Sequence, residues 1–304
     1  MTDHYPRDLI GYGGNPPAAD WPNRARVAVN FVLNYEEGAE RCILHGDRTS
    51  ETALSELFNP VALVGERDLN VESNYEYGSR VGFWRLLRIF ADRHVPFTVY
   101  AVGMALDRNP TVGPALAKLG CDFVSHHHRW IDYHNMEEAE ERAQVLASIA
   151  AIERAAGARP IGLYCGRPSA NTRRLAIEAG FLYDSDAYND DLPYWTTVAG
   201  RSHLIIPHTL HTNDSRYTRG QDWSVPGDMF TCLKADFDAL YEEGERTPSM
   251  VTFAFHNRPA GRPGRATEVA RLVDYVLGHE RVWVCRRDDI YRHWVARHPA
   301  PPTR

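Results

Sequence analysis

Short apolar runs alternate with amphipathic stretches along most of the chain, and this alternation restricts the possible folds more than any other feature. Most of the runs are continuously apolar, as strands covered on both faces of a sheet should be. The predicted strands are Val27–Leu33, Phe97–Val102, Asp122–Ser125, Pro160–Tyr164, Leu182–Asp186, Leu204–Pro207, Val251–Phe255 and Val282–Cys285. The predicted helices are Arg80–Arg93, Met136–Ala156, Ala170–Ala179, Met229–Glu243 and Thr267–Gly278. Strands that alternate with helices predict a parallel sheet, and about eight of them predict a closed or nearly closed barrel of the TIM type.

The composition bounds the domain organisation, the partners and the location of the protein. The chain has 304 residues, 43% of them hydrophobic and 24% charged, and no linker or repeat divides it, so we expect residues 1–304 to form a single domain. A net charge of -6 argues against nucleic acid and anionic membranes as partners. No apolar run approaches the roughly 20 residues of a membrane span, and the N-terminus lacks the layout of a signal peptide, so we expect a cytoplasmic protein. The cysteines have no CxxC spacing and indicate reduced thiols.

Polar residues follow directly after the predicted strands. In a barrel of this type the active site forms at the carboxyl ends of the strands, so these residues are the candidates for chemistry. They are Glu36 and Glu37; Ser125, His126, His127 and His128; Gly166 and Arg167; Asp184, Asp186, Asn189, Asp190 and Asp191; and His256, Asn257 and Arg258. Carboxylates, histidines and arginines on one face indicate hydrolysis of a C–N bond, with a base to activate water and cations to hold the oxyanion.

Glu36 and Glu37 stand where the first predicted strand runs into the sequence NYEEG. At the frayed end of a strand two adjacent carboxylates can both reach a cleft, and when they are held close together their pKa values are pushed apart. Such a pair can act as a base. An isolated pair could equally be part of a solvated loop, because charged residues are mostly exposed.

Each of the other candidates also has a structural alternative. Adjacent residues of the run His126–His128 point to opposite faces of a strand, so they need not act together. Arg167 could be a surface ion-pair partner, although the glycine and proline beside it fix the backbone at a strand end. The acidic stretch Asp184–Asp191 could be a hydrogen-bonded turn. His256 closes an apolar strand, and an imidazole at that position that faces a cleft indicates catalysis.

A series of motifs carries a family resemblance, in the order NYEEG, SHHHRW, GRPSANTRR, YDSDAYNDDLPYW and FAFHNR. These motifs resemble the polysaccharide-deacetylase (NodB-homology) superfamily and, within it, the cofactor-independent allantoinases of the PuuE type. The resemblance extends over nearly the whole chain, from YPRDLIGYGGNPP to RRDDIYRHW. It implies an α/β fold with a distorted TIM-like barrel of βα units, hydrolysis of an amide or a cyclic ureide, and a homotetramer.

The same resemblance bears on metal binding. Metal-dependent deacetylases carry Asp-Asp in the first motif and two histidines separated by three residues in the second, and the matching positions here are Glu36, Glu37, His126 and Trp130. The tryptophan removes a metal ligand, whereas a zinc site normally has three protein ligands and a water. Allantoinase-like members show the same Glu and Trp substitutions. We therefore expect no cofactor.

The alternative is zinc at an incomplete site that involves Glu37 and His126. The allantoinase pattern has Gly and Tyr where this chain has His127 and His128, so these added imidazoles, together with His134, could supply the missing ligands.

We predict two groups of functional residues for the hydrolysis of a small cyclic ureide or amide, such as allantoin. The catalytic residues are Glu36 as general base, Glu37 coupled to it, Arg167 beside the base or the oxyanion, and His256 as the acid for the leaving nitrogen. The substrate-binding residues are His126, His128, Trp130, Asp186, Asn189 and Asp190. The alternatives are a metal-dependent deacetylase or cyclic imidase and, in another class, a noncatalytic ureide- or sugar-binding protein. Residues 38–77 are expected to form a loop elaboration or a subunit contact.

Overall fold

The structure is a computed structural model that describes residues 7–218 and 227–302. Its strands are β1 (Val27–Tyr35), β2 (Thr98–Ala101), β3 (Asp122–Ser125), β4 (Gly162–Leu163), β5 (Tyr183–Asp184), β6 (Tyr194–Val198), β7 (Arg201–Ile205), β8 (Ser249–His256) and β9 (Val282–Val284). Its α-helices are α1 (Leu69–Tyr77), α2 (Phe83–Asp92), α3 (Gly103–Arg108), α4 (Val112–Lys118), α5 (Glu138–Ala156), α6 (Thr172–Glu178), α7 (Asp228–Glu243), α8 (Asn257–Ala260), α9 (Pro263–Leu277) and α10 (Arg287–Arg297).

The strands form one curled sheet in the order β6-β7-β5-β4-β3-β2-β1-β8, and β9 also pairs with β1. Neighbouring strands are parallel except β6 and β7, which form an antiparallel hairpin. Within the two described ranges no strand ladder joins β8 to the opposite edge, and an isolated bridge between Asn213 and Ala254 lies there instead. The sheet is therefore a distorted, incompletely closed barrel, and the predicted α/β fold class is confirmed.

Strand β1 is buried along its whole length and runs between two hydrophobic clusters. Val29, Phe31 and Leu33 pack in the cluster that contains the buried residues of α2 and α9. Ala28 and Val32 pack in a second cluster together with side chains of β2, β3 and β5. Alternate residues thus enter different cores, which explains why the strand reads as a continuous apolar run.

Some predicted elements differ from the observed ones. The strand expected at Leu204–Pro207 is β7, which begins three residues earlier because it pairs with β6, a strand that carries too many polar residues to be recognised. The helix expected at Arg80–Arg93 begins only at Phe83, since a π-helical turn, Gly78–Gly82, precedes it. Helices α1, α3, α4, α8 and α10 were not predicted. No helix of the described residues is long and apolar enough to cross a membrane.

Residues 38–77 contain a loop elaboration, as expected. Residues 48–65, which we call the arm, are closed at their base by a bridge between Thr49 and Val64. The backbone N–H of Ser50 also donates to the carbonyl of Leu63 (3.0 Å). The arm projects an apolar tip, where Phe58 is 95% exposed. Its role in a subunit contact stays a prediction.

Candidate active site

The carboxyl ends of β1, β3 and β8 meet at one edge of the sheet. Asn34 near the end of β1 pairs with His256 at the end of β8. The backbone N–H of His126, which follows β3, donates to the carbonyl of Ala101 in β2 (2.9 Å). Because Ala101 is also the register partner of the last residue of β1, Glu36 lies beside both His126 and His256.

The carboxylate of Glu36 is fully buried among cationic and imidazole groups. Its Oε1 lies 3.2 Å from Nε2 of His256 and 3.4 Å from Nε2 of His126, and its Oε2 accepts a hydrogen bond from Nη2 of Arg258 (2.9 Å). Burial disfavours the ionised carboxylate, but the charges of His256 and Arg258 and the two imidazole contacts outweigh it and hold the pKa of Glu36 well below its usual range. Glu36 is therefore ionised at neutral pH.

His256 lies between two carboxylates. Its Nδ1 is 2.6 Å from Oδ1 of Asp214, and its backbone N–H donates to Oδ2 of the same residue (2.7 Å). Burial lowers the pKa of His256, but the charges of Glu36 and Asp214 outweigh this effect and raise it to about 10. The imidazole is thus a cation at neutral pH, with the chain Asp214–His256–Glu36 fixing both of its nitrogens. Sequence reasoning missed Asp214, because it lies in a turn outside any predicted strand end.

Glu37 shares Arg258 with Glu36, but its other partners differ. Its Oε2 accepts from the side-chain amide of Asn257 (3.0 Å) and its Oε1 from Nη1 of Arg258 (3.4 Å). A side chain at Gly78 would overlap its carboxylate. Burial raises the pKa of Glu37. The two pKa values do move apart, but mainly because the surroundings differ and less because the carboxylates repel each other.

Arg258 contacts the carboxylates of both Glu36 and Glu37. The sequence placed it at a strand end, but no catalytic or binding role was predicted for it. Its side chain is fully buried, and besides both carboxylates its Nε donates to the backbone carbonyl of Leu54 in the arm (3.0 Å). Its guanidinium carbon lies 4.1 Å from the ring centroid of Tyr75 and 5.0 Å from that of Trp130. A buried arginine with three acceptors and two aromatic faces has little freedom to move.

Arg167 packs on Trp130, with its guanidinium carbon 4.3 Å from the ring centroid of that tryptophan. The structure gives Arg258, and not Arg167, the ion pair with Glu36. The preceding residue is near the site: a Cβ at Gly166 would lie 3.5 Å from Cε1 of His126. Arg167 therefore borders the site, where it shares Trp130 as a neighbour with Arg258.

Asp186, which was expected to bind substrate, instead forms hydrogen bonds with the backbone of the two residues that precede Arg167. Its carboxylate accepts from the backbone N–H groups of Cys165 (2.8 Å) and Gly166 (2.7 Å). Burial and the nearby Asp184 raise the pKa of Asp186 to about 7. These bonds fix the turn in which Gly166 adopts a positive φ of 77°.

Asn189 and Asp190 lie in a turn farther along the edge. Oδ1 of Asn189 accepts from the hydroxyl of Tyr194 (3.0 Å), and Oδ1 of Asp190 accepts from the backbone N–H of Leu192 (3.0 Å). Asp190 also lines a cavity of about 550 Å³, together with His208.

His208 was not named among the candidates, although it directly follows the predicted strand Leu204–Pro207 and the same rule would have found it. Its ring packs against Tyr100 and Tyr164, with centroid distances of 5.7 and 4.9 Å. The ring of His126 packs against the same Tyr164 at 5.2 Å. Burial, reinforced by nearby cations, holds the pKa of His208 well below its usual range. A neutral imidazole therefore lies beside the charged network.

His127 and His128 point away from Glu36, toward the helices behind the sheet. Nε2 of the buried His127 lies 3.8 Å from Oε1 of Glu141 in α5, and a Cβ at Gly103 in α3 would lie 2.8 Å from Nδ1 of His128. His134 is exposed. Within residues 7–218 and 227–302 no group of three or more His, Cys, Asp or Glu side chains has the arrangement of a metal site.

The two residues named for zinc face other partners. Both oxygens of Glu37 accept from Asn257 and Arg258, and Nδ1 of His126 lies 2.7 Å from the carbonyl oxygen of Tyr164. A zinc ion at Glu37 would have to share the carboxylate with a buried guanidinium cation. The donor set in this arrangement does not fit zinc.

Comparisons with known proteins agree with this geometry. The polysaccharide deacetylase family model matches residues 67–183. A candidate polysaccharide deacetylase from Schizosaccharomyces pombe is 40% identical over 313 residues, which cover 96% of this chain and 98% of the relative. The crystal structure of a probable polysaccharide deacetylase from Pseudomonas aeruginosa PAO1 is 52% identical, with a TM-score of 0.94, and the match covers 97% of this chain and 99% of that one. The crystal structure of the PuuE allantoinase is 51% identical, with the same TM-score and the same two coverages. With such similarity along nearly its full length, the chain belongs to the polysaccharide deacetylase family, and it is a hydrolase that acts on C–N bonds.

Proposed function

We propose that this protein opens the ring of a cyclic ureide, with allantoin to allantoate as the reaction, by general-base activation of water without a metal ion. The observation that carries the proposal is the buried chain Asp214–His256–Glu36, in which a protonated imidazole contacts an ionised carboxylate. The 51% identity with a PuuE allantoinase supports the choice of substrate.

In the proposed reaction Glu36 takes a proton from the attacking water as the new C–O bond forms. His256 donates the proton of Nε2 to the departing ring nitrogen, so the C–N bond breaks without leaving an amide anion. These two transfers assist each other. When the imidazolium loses its proton, Glu36 loses a cationic neighbour, and its affinity for the proton of water increases.

The oxyanion is stabilised in this scheme by fixed cations. Arg167 is the candidate donor to the tetrahedral oxygen, and Asp186 positions it by holding the turn at Gly166. Trp130 and His126 form the walls for the planar ring. Asn189 and Asp190 are proposed to accept hydrogen bonds from the N–H groups of the substrate, whereas His128, whose ring lies against Gly103 in α3, is not given this role. The predicted homo-oligomer remains part of this proposal.

A turnover assay with purified protein tests the function. Allantoin, hydantoin, succinimide and a chito-oligosaccharide are compared, each with and without a chelator, and zinc is measured by elemental analysis. We expect turnover to be fastest on allantoin, unaffected by the chelator, in protein with substoichiometric zinc. An activity on the chito-oligosaccharide that the chelator removes and zinc restores would contradict the proposal.

A chelator-sensitive activity on the chito-oligosaccharide would support the other candidate function, that of a metal-dependent deacetylase. It is favoured by the probable polysaccharide deacetylase that is 52% identical to this chain. The guanidinium of Arg258 against Glu37 argues against it, because a cation already neutralises the carboxylate that a metal would need.

A further inference from the structure

The arm has a strained backbone at the place where it approaches the active site. Leu54, Glu56 and Asn59 have φ angles of 50°, 56° and 46°. Left-handed conformations are costly for residues other than glycine, by about 1–3 kcal/mol each, and a branched side chain such as leucine is rarely found there. Such strain persists only where the surroundings hold the backbone in place.

Two sets of contacts hold the arm. The carbonyl of Leu54 accepts from Nε of Arg258 (3.0 Å). The carboxylate of Glu56 pairs with Nε of Arg262 (3.2 Å) and with Arg265. All three arginines follow strand β8 within a few residues. The strained part of the arm is therefore clamped onto the segment that directly follows His256.

The clamp determines the orientation of the guanidinium of Arg258. A guanidinium is planar, with its N–H donors in a fixed fork. Nη2 and Nη1 contact Glu36 and Glu37, and the faces of Tyr75 and Trp130 fix the plane. The hydrogen bond from Nε to the carbonyl of Leu54 fixes how the guanidinium is rotated within that plane. This rotation determines the position of Nη2 and therefore of the Glu36 carboxylate that it contacts.

We infer that the arm is a positioning element of the active site: the carbonyl of Leu54 and the ion pairs of Glu56 hold Arg258, and Arg258 holds Glu36 in line with His256. The inference depends on the proposed function of Glu36 as the base. It assigns to residues 51–56 a role in turnover in addition to any contact with another subunit.

The first test removes the guanidinium and supplies it again. Arg258→Ala should lower kcat by at least about a hundredfold, because a small displacement of the base is enough for such a loss, while KM changes by less than about threefold. Guanidinium ion at millimolar concentration should raise the kcat of this variant by at least about tenfold, since the ion can occupy the vacated space between Tyr75 and Trp130. Methylammonium, a cation without the planar fork, is the control and should restore less.

The second test loosens the clamp from a distance. Glu56→Gln should lower kcat by roughly tenfold, with KM nearly unchanged. The matched control is Asp274→Asn, which removes an ion pair with Arg93 elsewhere on α9 (2.6 Å) and should leave kcat at the wild-type value. Glu56→Gln loses ion pairs with two arginines and Asp274→Asn an ion pair with one. The melting temperature of each variant is compared with that of the wild type, and we expect neither to fall by more than about 3 °C.

The outcomes separate the inference from the proposed function. The activity of the wild-type protein on the substrate panel tests the proposed function. The ratio of the variant's kcat to the wild-type kcat, measured on whichever C–N substrate is hydrolysed, tests the inference. An Arg258→Ala protein that guanidinium cannot restore, although it keeps the wild-type melting temperature, would overturn the role of Arg258. A Glu56→Gln protein with the wild-type kcat would overturn the role of the arm.

Discussion

The two faces of the strand ends differ sharply, although their residues are adjacent in sequence. On the front face, the imidazoles of His126 and His256 lie 3.4 and 3.2 Å from one carboxylate oxygen of Glu36. On the back face are Glu37, His127 and His128. Both ring nitrogens of His127 lack hydrogen-bond partners, and burial lowers its pKa. A step of one residue thus separates Glu36, whose pKa the surrounding cations lower, from Glu37 and His127, whose pKa values burial shifts toward the neutral form although each also has an oppositely charged neighbour.

This difference follows from strand geometry. Successive side chains of an extended segment point to opposite sides, so residues 36 and 126 share a site while His127 faces Glu141 in α5 and Glu37 turns toward Asn257 and Gly78. Burial outweighs the nearby charge both for Glu37 beside Arg258 and for His127 beside Glu141, so the neutral form is favoured, and a neutral group is poorly suited to hold a transition-state charge. The predictions below test whether chemistry is confined to the front face.

The largest effect is expected for Glu36→Gln. The amide is nearly isosteric but cannot take a proton from water, and loss of a general base typically lowers turnover roughly 10²–10⁴-fold. We expect kcat for the ureide to fall by at least about a hundredfold, measured by steady-state kinetics. Substrate should still raise the melting temperature, which shows that the binding site is intact. A variant within about tenfold of wild type would place the base elsewhere.

The pH profile tests the acid on the same face. If His256 must be protonated, kcat should be level through neutral pH and fall above pH of about 10, because the pKa of His256 is raised to about 10 by Glu36 and Asp214 against the effect of burial. Asp214→Asn removes one of these charges, so the pKa should fall and the alkaline limb should move to lower pH by at least about one unit. Identical alkaline limbs in wild type and variant would exclude His256 as the group that titrates.

On the back face, Glu37→Gln should have a smaller effect than its neighbour. Burial raises the pKa of Glu37, so the neutral amide resembles the form that its environment already favours. The amide can also still accept from Asn257, although its contact with Arg258 weakens. We expect kcat to fall by less than about tenfold. If Glu37→Gln were inactive and Glu36→Gln active, the roles of the two glutamates would be exchanged.

The sequence predicted the part of this arrangement that depends on strand ends. Continuous apolar strands located Glu36, His126 and His256 on one edge, because parallel strands present their carboxyl ends together. It could not show that Arg258, rather than Arg167, pairs with Glu36, since both follow strands and the strand order, in which β8 and not β4 lies beside β1, is not contained in the local pattern. Asp214 was missed for a similar reason. It comes from a 3₁₀ turn beside β8, and no local pattern connects it to a histidine 42 residues away.

The smallest effect on turnover is expected for His127→Gln, which should keep kcat within about twofold of wild type but change how stability depends on pH. Burial lowers the pKa of His127 from its ordinary value of 6.5, whereas the unfolded imidazole binds a proton near that value. The unfolded state therefore binds more protons below pH 6.5, and the folded state loses stability as the pH falls, by up to about 1.4 kcal/mol per pH unit. Glutamine does not titrate, so the variant should lack this loss between pH 7 and 5, as measured by denaturant unfolding. If the variant instead lost most of its turnover without a change in this pH dependence, the back face would take part in the chemistry.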